Sequence, residues 1–455
     1  MLISYYNMKK KLTEQIVLFA SIIKWVVLAT GIGIIVGIST TFYLKMLEFG
    51  ERSSNYSYYF LLLPIAMFLS VLIVKYLAPN AEGHGTEKVI EAVHKNSGKI
   101  KAAVIPVKLV ATVITIATGG SAGKEGPAAQ IGGGLSSVFS DIFKFNNHDR
   151  KKLVICGISA GFASVFGTPI AGALFGVEVL FVGSMLYDVL LPSFISGIIA
   201  YQVSSMLGIK YFHHFIEFIP DFSGPLFLKV ILAGVIFGLI SFLFIEILNI
   251  GKIISKKINI WTPLKGFIGG VLIVGLVFLF SGRYLGLGVD VIHQTLDGGK
   301  VIWYDSVMKM IFTSLTLNFG GSGGIVTPIF YIGSTSGSLF AQIMNLDPVV
   351  FAAIGMVSLL AGAANTPISA SILAIELFGP SIAPYAAIAC IISFFMTGHR
   401  SVYPSQVLAI KKSESIDVSL GEEVDNIKTD IKPHKTNILK KGLNYIKKKK
   451  EKGGN

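Results

Sequence analysis

Glycine-rich loops, one of them holding an acid, are where this chain has the residues for chemistry. GGSAGKEGPAAQIG at 119–132 is nearly repeated as GGSGGIVTPIFYIG at 320–333, so that Gly119, Gly120, Ser121, Gly123, Pro127, Ile131 and Gly132 meet Gly320, Gly321, Ser322, Gly324, Pro328, Ile332 and Gly333. Small residues ahead of a helix start leave backbone N–H groups unpaired beside the positive end of a helix dipole, a combination that binds an anion. Gly119, Gly120 and Gly123 admit close backbone approach, and Pro127, having no N–H, suits a first helical turn. Gly323, Gly324 and Pro328 repeat the arrangement. Two such N-termini converging would hold a small anion without a full positive charge and still release it quickly.

Glu125 lies in the first loop only, because Val326 takes its place in the second. A carboxylate inside a membrane segment is costly and marks a functional site by default. At an anion-binding helix start it can occupy the site when ionised and leave when protonated or displaced, which makes Glu125 a candidate gate and proton carrier. The competing readings are a purely structural cap for Glu125 and plain helix packing for the glycines. A phosphate-binding loop is excluded, since Thr118 stands where the first glycine belongs and Glu125 where Ser or Thr should follow the lysine.

The elements that position these loops are also duplicated. TPIAGALFGVE at 168–178 is answered by TPISASILAIE at 366–376, in the same order as the loop pair. Matching Gly/Pro interruptions in two halves of a membrane protein point to a transport site at the repeat interface. Composition places the chain in a membrane, with 52% hydrophobic and 14% charged residues and a mean hydropathy of +0.68. Runs long enough to span the bilayer fall at 15–46, 59–78, 187–207, 226–250 and 262–281. Shorter ones at 102–118, 150–165, 348–363 and 381–396 read as helices that end inside the membrane, facing protein or a watery cavity. The expected fold is an all-α polytopic membrane protein of two inverted-topology repeats, with broken helices whose N-termini converge on a mid-membrane anion site.

The expected organisation is a cytoplasmic segment at 1–14, a first membrane repeat at 15–210, a linker at 211–225, a second repeat at 226–411 and a disordered basic cytoplasmic tail at 412–455. The net charge of +13 is no sign of nucleic acid, because Lys9 to Lys11, Lys252, Lys256, Lys257 and Lys447 to Lys450 flank spans or fill the tail. That distribution follows the positive-inside rule and puts both termini in the cytoplasm of a cell-membrane protein, with the tail's basic end near anionic lipid. Cys156 and Cys390 sit in apolar stretches and read as buried free thiols. The N-terminus reads as a retained first helix and not a cleaved signal. Lys108 and Glu246 read as satisfied structural groups. No cofactor, metal set or nucleophile and base pair is evident, so no enzyme is expected.

Several of these residues resemble the CLC family of chloride channels and proton-coupled chloride exchangers. The family's Gly-Arg-Glu-Gly-Pro motif is similar to Gly123, Lys124, Glu125, Gly126 and Pro127, and its Gly-Ile-Phe-Ala-Pro motif to Gly324, Ile325, Val326, Thr327 and Pro328. Its chloride-coordinating tyrosine resembles Tyr403 in SVYPSQVLAI. Over about 15–411 the resemblance implies a homodimer of inverted repeats with one anion pore per subunit, a gating role for Glu125 and backbone anion donors at Ile325 and Val326.

Three departures bear on function. The family's Gly-Ser-Gly-Ile-Pro motif is here Gly83, His84, Gly85, Thr86 and Glu87, which trades a serine hydroxyl for imidazole. His84 either offers the anion an N–H and pH-dependent charge or turns aside and leaves the backbone of Gly85 and its neighbours. Proton-coupled members carry an inner glutamate where this chain has Val179, while Glu178 and its mate Glu376 read as helix-end structural acids. The paired nucleotide-sensing module of longer relatives is not seen after the membrane part. The expected function is therefore passive, channel-like conduction of monovalent anions, chloride first, with proton-coupled antiport as the alternative; fluoride carriers rank lower because Tyr403 is present.

Overall fold

The computed structural model describes residues 2–53, 56–216 and 223–431. In lipid a backbone must satisfy its own polar groups, and helices do so within one segment. The long apolar runs accordingly form α1 (Leu2–Ser53), α2 (Leu63–Leu77), α8 (Tyr187–Met206), α9 (Gly224–Lys257) and α10 (Thr262–Leu279). Between them lie α3 (Thr86–Lys95), α4 (Val104–Ala117), α5 (Glu125–Ile142), α6 (Asn147–Phe166) and α7 (Pro169–Glu178). The second half runs through α11 (Val289–Leu296), α12 (Asp305–Asn318), α13 (Val326–Met344), α14 (Pro348–Ala364), α15 (Pro367–Phe378) and α16 (Ala383–Met396). Helix for helix, α1 to α8 reappear as α9 to α16. Both α7 and α15 open on the Thr-Pro of the second repeated motif, with proline in the first turn where its missing N–H costs nothing.

The halves are joined by bonds that occur twice. Gly123 N–H donates to the Gly324 carbonyl at 2.7 Å and Gly324 N–H to the Gly123 carbonyl at 2.5 Å, an antiparallel bridge between equivalent residues. Ser121 N–H donates to Thr316 Oγ1 at 3.0 Å, and Ser322 N–H to Thr115 Oγ1 at 3.1 Å. Glu178 accepts from the N–H groups of Ile368 and Ser369 at 3.0 and 2.8 Å, while Glu376 accepts from Ile170 and Ala171 at 3.0 and 2.7 Å. The shared helix-end role read for these two acids thus takes a reciprocal form: each carboxylate caps the helix start of the other repeat, where orphan N–H groups and the dipole favour negative charge.

Beyond α16 the chain keeps structure where disorder was expected. Val407–Leu408 pairs in parallel with Phe181–Val182, and Ile416–Asp417 pairs with Asp430–Ile431. Lys412, the first residue of the expected tail, is buried and donates to Asn365 Oδ1 at 2.7 Å and to the Phe394 carbonyl at 2.6 Å. A buried ammonium needs such acceptors, and a sequence window of alternating charge gives no sign of them. The remainder of the expected tail, 432–455, and its lipid-binding end lie outside the described residues. In the expected linker, 217–222 lie outside them too, whereas His214 and Ile216 donate to the carbonyls of Leu377 and Phe378 at the end of α15. Cys156 and Cys390 are buried free thiols, as read.

Candidate functional site

The two glycine loops meet at the centre of the molecule, and Glu125 opens α5 beside the start of α13. Its carboxylate, 1% exposed, accepts from Thr327 N–H at 3.2 Å and from the Thr327 hydroxyl. An acid of the first repeat therefore occupies the positive end of a helix in the second. Ile325 caps α13 and Val326 is its first residue, so neither N–H group has an intrahelical acceptor. The amide that engages Glu125 is one residue further on. Thr327 was visible in the sequence as a departure from the family motif, with no role attached.

The turn that carries His84 lies directly on this loop. Gly83 and Gly85 both take positive φ, 80° and 81°, and a side chain on Gly126 would strike the His84 carbonyl. Lys108, fully buried, donates to the Ala81 carbonyl at 3.1 Å and the Gly83 carbonyl at 2.6 Å, so this structural lysine positions the turn. Its repeat mate Lys309 does the same for the carbonyls of Tyr284 and Gly286 at 3.1 and 3.0 Å. This third repeated feature escaped sequence reading because the two turns share only their glycines, Gly83-His84-Gly85 and Gly286-Leu287-Gly288.

Tyr403 is fully buried, and Thr86 is the hydrogen-bonding side chain beside its hydroxyl. It lies within electrostatic reach of both Glu125 and Glu87. Ser401 Oγ accepts from Tyr403 N–H at 2.9 Å and donates to Gln406 Oε1 at 2.6 Å. Gln406 in turn donates to the carbonyls of Val179 and Ala364 at 2.7 and 2.8 Å. Val179 therefore supports the Tyr403 loop through its backbone, while its side chain is buried in the apolar core.

A cavity of about 510 Å³ leads toward the site between α2, α9 and α10. Lys75, Lys252, Lys256 and Lys265 line it, and it reaches His84 and Glu87 but stops short of Glu125. Basic walls raise the local concentration of anions. His84 lines this cavity, and its Nδ1 is buried without a hydrogen-bond partner among the described residues. The structure thus gathers Glu125, Lys124, Ile325, Val326, Gly126 and the His84–Gly85 turn around one point. Pro127 and Pro328 stand in the first turns of α5 and α13, and Gly323 packs on Ala122. Tyr43 of α1, fully buried with an unpartnered hydroxyl among the described residues and within electrostatic reach of Glu125, had no signal in the sequence.

A family model described as voltage gated chloride channel matches residues 66–398. A chloride/fluoride channel protein of Pseudomonas syringae pv. tomato is 37% identical over 401 residues, which are 86% of this chain and 88% of the relative. The H(+)/Cl(-) exchange transporter ClcA of Vibrio cholerae is 26% identical over 70% of this chain and 71% of its own. Among solved structures, a CLC-type fluoride/proton antiporter, 31% identical, superposes with a TM-score of 0.81 over 85% of this chain and 98% of that one.

Proposed function

The chain belongs to the voltage gated chloride channel family of anion-transporting membrane proteins, and on that premise we propose that it is a proton-coupled antiporter of a small monovalent anion, fluoride first. The observation that carries this is the Glu125 carboxylate seated on Thr327 at the start of α13. While ionised, it competes with an anion for the same donors; protonation cancels the attraction and frees the place. Proton binding and anion binding then alternate at one point, which is the requirement for exchange. Similarity to a fluoride/proton antiporter over nearly the whole of that protein supports the reading. It displaces passive conduction, the first expectation from Val179, to second place.

Fluoride is favoured because a 37% identical relative and a 31% identical solved structure carry it in their names, and because the gate is held by a hydroxyl, a donor suited to a small, strongly accepting ion. Chloride is the second reading, favoured by the buried Tyr403 hydroxyl. Both termini in the cytoplasm, and a homodimer with one pore per subunit, belong to the same proposal. No enzymatic step forms part of it.

The test is efflux from liposomes holding the purified protein, with fluoride or chloride and external pH recorded together and voltage clamped by a potassium ionophore. The expected result is proton movement against its gradient, driven by the anion and faster for fluoride. Anion release with no accompanying proton movement overturns antiport in favour of a channel.

A further inference from the structure

With valine at 179, the known inner acid position cannot deliver protons, and the structure holds another carboxylate where delivery is needed. Glu87 stands in the first turn of α3, two residues from Gly85. Oε1 accepts from Ser405 N–H at 3.0 Å and from Ser405 Oγ at 2.6 Å, which anchors one side of the group two residues from Tyr403. Oε2 is buried without a partner among the described residues, and Glu87 lines the basic cavity. A buried carboxylate oxygen left unpaired is expensive, and a chemical role is one of the reasons a native structure keeps such a group. α3 is not one of the membrane spans, and burial pushes the Glu87 carboxyl up to about 7 against the pull of Ser405 and Lys88, in the range where a carrier both takes and gives a proton.

We infer that Glu87 is the proton-relay residue on the cavity side of the anion site, taking the part that Val179 cannot play. The inference rests on the antiport reading above. The Glu87 carboxylate accepts a proton from cavity water, forming an O–H bond on Oε2. That bond breaks when the proton moves on past Tyr403, which is within electrostatic reach of both acids, and ends on the Glu125 carboxylate. The anion crosses in the opposite sense, and no other reactant is needed. The charged and titratable groups facing Glu87 are Lys252 and Lys256 of α9, Lys75 of α2, Lys265 of α10, Glu82 and His84 of the turn, and Lys88 of its own helix, with Glu91, Lys95 and Tyr403 close by. His84 is the poorer carrier, because a proton on it would add charge beside Lys108, Lys252 and Lys88.

Protons moved per anion are measured in liposomes for the wild-type protein, Glu87→Gln, Glu87→Asp and Ser405→Ala, as the pH on the cavity side is varied. Glu87→Gln is expected to lower the ratio by about tenfold or more, and Glu87→Asp to restore most of it. Ser405→Ala keeps the carboxylate but removes a donor to its charged form, and is expected to move the half-point of coupling to higher pH by about one unit. Wild-type exchange that persists undiminished in Glu87→Gln overturns the relay while leaving antiport standing. A wild-type protein that moves no protons overturns both. A profile unmoved by Ser405→Ala also overturns the relay and does not depend on how well Glu87→Gln folds.

Discussion

The first repeat brings an acid to the centre of the molecule and the second brings the donors that hold it. Position for position, Glu125 is matched by Val326, and Gly126 by Thr327. Around these two pairs the halves share the glycine bridge, the Ser/Thr bonds, the crossed Glu178 and Glu376 caps and the buried lysines under each turn. The symmetric bonds set two helix starts face to face. The difference decides what happens there, because a threonine in both loops would leave no gate and an acid in both would place like charges together. Gly126 matters for a separate reason, since the His84 carbonyl occupies the space a side chain would need.

The sharpest way to break this comparison is Glu125→Gln, which makes the first loop as incapable of protonation as the second. Protons moved per anion are expected to fall about a hundredfold or more, read from paired anion and pH traces. Next comes the partner: Thr327→Val removes the hydroxyl bond to a charged group, worth about 1.5–3 kcal/mol. Anion flux at neutral pH is expected to rise about tenfold as the gate is held less tightly, and unchanged flux would mean the hydroxyl does not hold the gate.

A finer test separates scaffold from site. Lys108→Met and Lys309→Met each strip a buried donor from two carbonyls, so each is expected to cost about 1–3 kcal/mol per orphaned group and to lower the melting temperature in detergent by similar amounts. Only Lys108→Met should also weaken anion binding, measured by titration calorimetry, because only its turn carries His84. Equal effects on binding would show that the two turns are not functionally distinct. The smallest effect belongs to the segment after α16, which has no counterpart in the first half. Lys95, itself exposed, pairs with the half-buried Glu423 at 2.9 Å, a contact that raises the lysine above its ordinary value through the hydrogen bond. A raised folded value means that the stabilisation is present at neutral pH and fades as pH climbs through the lysine range. Lys95→Ala is therefore expected to cost less than about 1 kcal/mol at pH 7, in thermal melts, and nothing at strongly alkaline pH.

Much of this was legible in the chain. The spans follow from apolar length, the duplication from two motif pairs, and the buried acid between the halves from an ionisable residue in one of two glycine loops. His84, Val179 and Tyr403 stood out as departures from or matches to a known pattern, and in the structure His84 lines the basic cavity while Tyr403 is buried within electrostatic reach of Glu125. The passive channel suggested by Val179 and the low rank of fluoride suggested by Tyr403 each rested on a single residue. Glu87 passed without a role, since a motif comparison registers it only as a missing proline.

Composition and spacing by themselves determined the membrane environment, the helical class, the internal repeat and the acid at its centre, because these depend on local periodicity and on residue type. Tertiary structure alone decided that Thr327 holds Glu125 from 202 residues away, that Glu178 and Glu376 cap each other's repeat, that Lys108 and Lys309 are mates, and that residues 412–431 pack onto the membrane body. Such bonds exist only once two halves with little sequence in common fold against each other, and the need of every buried polar group for a partner then selects pairs that no window along the chain contains.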